Sequence, residues 1–208
     1  MDQMVGSHKE QKAELEIEYK AMLTQERYEE LLEQFSKFAN LEASYTQTNY
    51  YFDTGDHLLI NQGVTVRLRN IGDSWEFQVK IPNESTGQFN SQTEYVSEVP
   101  GLLASDFIHN GIVKYNQLLK NIAILEGVDV EGLQVIGKLE TIRQDFCFYT
   151  DTISLDKNSY LDVVDYELEW ETTNHHYVLY MFEHFKLEPT KNVGKVTRFL
   201  DRLNRERS

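Results

Sequence analysis

The sequence predicts an α+β fold: a curved, mainly antiparallel sheet with helices outside it and a charged hollow within. Three observations predict it. Segments with the period of a strand follow one another without intervening helices. Most of these segments carry apolar residues on one face and full charges on the other. The helical segments each carry one apolar stripe, which supplies the cover that the apolar faces of a sheet need.

Residues 13–20 (AELEIEYK) alternate strictly, with Leu15, Ile17 and Tyr19 opposite Glu14, Glu16, Glu18 and Lys20. Residues 24–39 switch to helical spacing, with Tyr28, Leu31, Leu32, Phe35 and Phe38 on one stripe. Residues 47–53 (QTNYYFD) are aromatic and strand-like. In 64–70, Val64, Val66 and Leu68 oppose Thr65, Arg67 and Arg69; in 74–81, Trp75, Phe77 and Val79 oppose Glu76, Gln78 and Lys80. The two read as a hairpin turning at Gly72-Asp73. Residues 92–99 form a further strand, and 102–125 a helix in two pieces broken near Gly111. Residues 140–150 return to strand, with Thr141, Arg143 and Asp145 opposite Ile142, Phe146 and Phe148. Strands at 153–156 and 162–171 follow; in the second, Tyr166, Leu168 and Trp170 oppose Asp165, Glu167, Glu169 and Glu171. Helices at 174–185 and 194–204 finish the pattern, the last with Val196, Phe199, Leu200 and Leu203 on one stripe. Pro82, Pro100 and Pro189 all fall where a pattern stops.

A length of 208 residues fits one domain, expected over 13–205, with a polar, disordered lead-in at 1–12. The 40% of hydrophobic residues is too many for a disordered chain. The lead-in carries no apolar stretch of a secretory signal, and no apolar run approaches the ~20 residues of a membrane span. The single cysteine, Cys147, excludes an internal disulfide and suits a reducing cytoplasm; its apolar strand context reads as an inert core thiol. A net charge of −14 argues against nucleic acid as a partner. The six histidines lack zinc-site spacing, with His175-His176 reading as a helix start. There is no GxGxxG and no Walker-type loop.

For any one strand, a charged face is ordinarily a face turned to water. Taken together, the strands have a theme. They divide into an acidic set (Glu16, Glu18, Glu94, Glu167, Glu169) and a basic set (Arg67, Arg69, Lys80, Arg143). If helices cover the apolar faces, these charges converge on one cavity. Buried charge is costly unless paired or ligand-bound, so such a cavity should be wet and functional. Arginine forks match phosphate oxygens, and carboxylates hold hard cations that bridge them.

Glu16 to Lys20 form an ExExK motif. It is followed in order by YYFDT (50–54), VRLR (66–69), Lys80, Glu94, Arg143, Leu155-Asp156, YELEWE (166–171), and Lys191 and Lys195. This succession resembles the CYTH superfamily, the triphosphate tunnel metalloenzymes, over about residues 13–200, and is most similar to CYTH proteins of Gram-positive bacteria. The group includes thiamine triphosphatases, inorganic tripolyphosphatases and class IV adenylate cyclases. The resemblance implies a closed eight-stranded antiparallel barrel, open as a tunnel and surrounded by helices. It implies Mg²⁺ or Mn²⁺ held by Glu16 and Glu18 from one wall and by Asp156, Glu167 and Glu169 from another. Lys20, Arg67, Arg69, Lys80 and Arg143 would hold a triphosphate, with Lys191 or Lys195 closing the ring. Glu16, Glu18 and Lys20 are the catalytic candidates, and Lys20, crowded by cations, is a candidate for a lowered pKa. Glu94 matches an acidic position of open role; Lys138 lies nearby and ranks below Arg143. Trp75, Trp170 and the Tyr50-Tyr51-Phe52 run read as packing, with one tyrosine a candidate for the tunnel mouth.

The expected function is metal-dependent hydrolysis of a small-molecule triphosphate by a monomer or homodimer, without nucleic acid or membrane as partner. The alternatives are an adenylate cyclase forming cyclic AMP and a non-catalytic module that binds polyphosphate or nucleotide.

Overall fold

A computed structural model of the chain describes residues 12–83, 89–110, 132–172, 174–190 and 194–206, with side chains from residue 15 onward. Its elements are β1 (Lys12–Leu23), α1 (Gln25–Phe38), β2 (Asn40–Asp53), α2 (Leu58–Asn61), β3 (Thr65–Ile71), β4 (Ser74–Pro82), β5 (Asn90–Glu98), α3 (Gly101–Asn110), β6 (Gln134–Phe148), β7 (Asp151–Tyr160), β8 (Val163–Glu171), α4 (His175–His184) and α5 (Lys195–Glu206). The expected lead-in at 1–12 lies outside the described residues except for Lys12, as does the second piece of the 102–125 helix.

The eight strands close into an antiparallel barrel in the order β1-β5-β4-β3-β2-β6-β7-β8. The closing pair joins β1 to β8, with Glu18 opposite Glu171 and Lys20 opposite Glu169. Closure leaves no unpaired sheet edge among the described strands. The β3–β4 hairpin turns at Gly72-Asp73 as expected, because Gly72 adopts φ 56° at no steric cost. Thr24 caps α1 by accepting from the Arg27 N–H at 3.2 Å.

Two elements exceed the sequence pattern. β2 begins at Asn40, where mixed residues give no clean alternation, because the long ladder to β6 holds it. α2 is a single turn organised by Asp53. That buried carboxylate accepts from the N–H groups of Thr54 (2.7 Å), Leu59 (3.0 Å) and Ile60 (3.1 Å). The YYFDT motif thus divides its labour: Phe52 packs outward, Asp53 builds the turn, and Tyr51 faces the interior.

The apolar faces point out and are covered. Val66, Leu68, Phe77 and Val79 pack under α2 and α3 with Leu59, Ala104 and Phe107. Tyr19, Phe146, Leu155, Leu168 and Trp170 pack under α1 and α4 with Leu31, Phe35, Val178 and Phe182. The cover is incomplete: Leu15 and Ile142 on the same faces are exposed. A third cluster lies across one end of the barrel, where Val196, Phe199 and Leu200 of α5 meet Tyr51, Leu139 and Tyr160. There Phe199 sits so close to β6 that only glycine fits at position 137. Cys147 is half-buried, not in the core; desolvation and Glu42 push its thiol up, which keeps it protonated.

Candidate active site

Side chains alternate across a strand, so covering the apolar faces sends the charged ones inward. The barrel interior holds a cavity lined by acids (Glu16, Glu18, Glu94, Glu169, Glu171) and by cations (Lys20, Arg67, Arg69, Lys80, Arg143, Lys195). Tyr51, Thr65, Gln92, Gly194 and Val196 complete the lining.

Behind the cavity lies a denser layer. Asp156, Glu167 and Glu169 offer oxygens within 4.8 Å of one another, all buried. Register explains the cluster: Asp156 of β7 stands opposite Glu167 of β8 and opposite Arg143 of β6. Arg143 grips Asp156 through two bonds of 2.8 and 2.6 Å and reaches Glu169 at 2.5 Å. Lys195, on the first turn of α5, bonds Asp156 and Glu169 at 2.8 Å each and also Glu167. Arg198, one turn later, meets Glu167 at 3.0 Å and Asp165 at 2.8 Å. The acids of this layer are therefore already matched by cations.

Nearer the cavity, Lys80 bonds Glu16 at 2.7 Å and approaches Glu94 at 3.6 Å; Arg67 approaches Glu94 at 3.6 Å. Gln92 donates to Glu16 at 2.7 Å and to Glu18 at 3.3 Å. Lys20 bridges Glu18 at 3.0 Å and Glu169 at 2.9 Å. Arg69 differs. Its Nε donates to Asn49 Oδ1 at 3.1 Å, and no described carboxylate lies within ion-pair distance.

The electrostatics follow this geometry. Desolvation, with Arg67 and Arg143, pushes the Arg69 guanidinium down to about 10. Burial pushes Lys20 down, but Glu169, Glu18 and Glu167 outweigh it and hold the ammonium well above its ordinary value. The expected lowering of Lys20 is thereby corrected: its nearest neighbours are acids, and it stays protonated. Desolvation raises Glu94, but Glu16, Lys80 and Arg67 together hold it at about 2, while burial and Glu94 push Glu16 up. Burial raises Glu167 and Glu169 as well, and in each Lys195 and further cations reverse the effect, holding Glu167 at about 2 and Glu169 well below the carboxylate range. Glu171 goes the other way. Desolvation, then Glu16, Glu169 and Glu18, push it up to about 7.

Most of the expected site residues thus meet at the cavity or directly behind it. Lys138 does not: it is exposed, one residue out of step with the inward Leu139, Thr141 and Arg143. Lys191 lies outside the described residues. Four participants among the described residues were not singled out from sequence: Glu171, Gln92, Tyr51 as a specific lining residue, and Arg198. Glu171 continues the Glu167-Glu169 alternation, which was its legible signal. Arg198 lies one helical turn beyond Lys195, a spacing that gains meaning only once α5 is placed over the acids.

Comparison with known proteins agrees with this geometry. The candidate triphosphatase YjbK of Bacillus subtilis is 29% identical over 194 residues, which span 90% of this chain and 95% of that protein. Among solved structures, a candidate adenylate cyclase of Bacillus halodurans superposes with a TM-score of 0.76 at 23% identity, covering 90% of this chain and 98% of that one. The candidate adenylyl cyclase HpAC1 of Hippeastrum, described as revealing a dominant triphosphatase activity, gives 0.75 at 22% identity, covering 89% and 95%. The CYTH domain profile matches residues 14–200, nearly the whole barrel and its helices, and the chain belongs to the CYTH domain family.

Proposed function

We propose that the chain hydrolyses a small-molecule triphosphate within the barrel, with the help of a divalent cation. The observation that carries this reading is Arg69, desolvated among Arg67 and Arg143 yet without a described carboxylate partner. Arg69 is half-buried, with Glu94 its more distant counter-charge; a desolvated cation so weakly matched is costly, and a polyanion in the cavity matches it. Arg67, Arg69, Lys80 and Arg143 line the space from several strands and present forks suited to phosphate oxygens. Lys195 takes the place at α5 that closes the ring. The candidate triphosphatase YjbK and the triphosphatase activity described for HpAC1 support the same class of reaction.

The residues fit a hard divalent cation, Mg²⁺ or Mn²⁺. Glu16, Glu18 and Glu171 face the cavity, and the crowding that lifts Glu171 to about 7 is relieved by a cation beside it. Glu169 borders the same group. Asp156 and Glu167 are committed to Lys195, Arg143 and Arg198, and hold those cations in place. A divalent cation held by Glu16, Glu18 and Glu171 would supply charge neutralisation to the polyphosphate. The chain's own residues do the positioning. Water forms the new P–O bond at the terminal phosphorus as the bond to the remaining diphosphate portion breaks, and the arginines stabilise the charge on the phosphoryl and leaving oxygens. Lys20, held protonated, donates to an oxygen and does not accept a proton. Glu18 and Glu169 fix its direction.

The test is phosphate release from tripolyphosphate, thiamine triphosphate and ATP, with Mg²⁺ or Mn²⁺ and with EDTA. Metal-dependent orthophosphate release is the expected result. Cyclic AMP with pyrophosphate from ATP, or tight binding without turnover under any divalent cation, overturns hydrolysis in favour of a cyclase or a binding module.

A further inference from the structure

Outside the barrel, a second cleft has no role in the account above. It is open, has a volume of about 710 Å³, and runs between α1 and α4 beside the end of β6. Clefts of this size hold small organic ligands. Its floor is Phe38, Phe148, Met181 and Phe185. Phe38 meets Phe148 edge-on, with centroids 5.2 Å apart, and stacks on Phe185 at 5.4 Å. Phe38 is 38% exposed, so this aromatic surface stays open to a ligand.

The rim is basic. Arg27, Lys37, His184 and Lys186 stand around the floor, and among the described residues no carboxylate lines the cleft. In a chain of net charge −14 this is a local reversal of sign. Arg27 pairs with Glu30 at 2.8 Å and Lys37 with Glu33 at 2.7 Å, both along the surface of α1. Exposed pairs of this kind are weak and exchange partners. Arg27 also donates to the Phe185 carbonyl, as suits a cation at a helix C-terminus. Lys186 is different. It has no ion pair or side-chain hydrogen bond among the described residues. It also adopts φ 52° just after α4, in the left-handed region where glycine is the unstrained choice. A lysine kept at a conformational cost points to work for its side chain.

We infer that the α1–α4 cleft binds a small organic anion with an aromatic body, of the aryl carboxylate class. The ring rests on Phe38, Phe148 and Phe185, where edge-to-face and stacked contacts are available. The charge points to Lys186, Lys37 and Arg27. The cleft shares no lining residue with the barrel cavity, so the inference stands apart from the triphosphate reading.

The test is fluorescence titration of the full chain with anilinonaphthalene sulfonate, an aromatic anion whose emission rises in apolar surroundings, followed by competition. One saturable site is expected. Naphthoate should displace the probe at about tenfold lower concentration than naphthamide, its uncharged analogue, as two exposed ion pairs would give. Lys186→Gly removes the unpaired cation. Gln34→Glu places an acid in the exposed part of the lining with almost no change of shape. Each should weaken naphthoate about fivefold and leave naphthamide unchanged. The melting temperature of Lys186→Gly should be no lower than that of wild type, because the strained position is relieved. Equal affinity for naphthoate and naphthamide, or wild-type affinity in both folded variants, overturns the site. Displacement of the probe by tripolyphosphate places the probe in the barrel and overturns it too. A cleft that ignores naphthoate and takes up an acidic aromatic peptide is a protein-docking surface, and the inference falls.

Discussion

Gly137→Ala tests how α5 is seated. A Cβ at position 137 would stand 2.0, 2.2 and 2.8 Å from three carbons of the Phe199 ring. Carbon atoms rest about 3.5–4.0 Å apart, so the ring must retreat by roughly 1.5–2 Å. It has little room, because Phe199 is 3% exposed and enclosed by Tyr51, Leu139, Tyr160, Val196 and Leu200. Overpacking a filled site costs about 1–3 kcal/mol. The upper end is expected, since lifting α5 also draws Lys195 away from Asp156 and Glu169. For a chain of this size about 3 kcal/mol corresponds to a fall of roughly 6–12 °C in Tm. Urea and thermal unfolding of Gly137→Ala, Phe199→Ala and the double variant measure it. Phe199→Ala alone should cost about 3–5 kcal/mol, and the double variant should cost at least about 1 kcal/mol less than the sum, because the added methyl then fills the vacated space. Strict additivity, or a Gly137→Ala protein melting with wild type, would show that the ring does not rest on this strand.

Glu18→Gln should abolish divalent-dependent phosphate release while the far-ultraviolet spectrum and Tm stay near wild type; a folded, fully active variant removes the metal role proposed for Glu18. Arg143→Met leaves Asp156 and Glu169 short of a partner and should cost about 3–5 kcal/mol in urea unfolding. Arg69→Met removes a cation without a described carboxylate partner; it should leave stability within about 1 kcal/mol of wild type and weaken tripolyphosphate binding by at least about tenfold, so equal stability losses in the two variants would contradict the charge assignment. Glu171 gives a pH signature. Its folded value is raised from 4.5 to about 7, so the folded state favours the protonated form; the group costs nothing below about pH 4.5 and costs progressively more up to about 7. Glu171→Gln should accordingly stabilise the protein by roughly 1–2 kcal/mol at pH 8 and not at pH 4. Mg²⁺ should raise the Tm of wild type at pH 8 more than that of the variant; identical pH profiles would refute the crowding of these carboxylates.

Much of this architecture is legible in period-two alternation, and the reason is physical. A barrel strand has one wet and one dry face, so Val66 and Leu68 against Arg67 and Arg69 state the orientation of β3 without reference to any other strand. Closure is less legible, because the pairing of β1 with β8 joins residues about 150 positions apart, and no local pattern records it. α2 escapes because one turn carries no periodicity; its cause is the hydrogen bonding of Asp53, in a motif that reads as strand. The acidic and basic sets are visible as types, but not which acid meets which cation. That depends on register: Arg143 stands opposite Asp156, and α5 delivers Lys195 and Arg198 from outside the sheet. Lys138 illustrates the hazard, since a shift of one residue places it on the solvent side while Arg143 turns inward.

The dependence of the acidic layer on α5 has a consequence for biosynthesis. Asp156 and Glu167 leave the ribosome with the last strands, whereas Lys195 and Arg198 belong to a segment translated some 30 residues afterwards. Until that segment emerges, Arg143 is the main counter-ion available to Asp156, Lys20 alone draws Glu169 across the seam, and Glu18 and Glu171 oppose each other there as like charges. Barrel sealing is therefore a late event in the life of the nascent chain, and a stop codon placed before residue 195 should yield an open, protease-sensitive sheet in place of a smaller barrel.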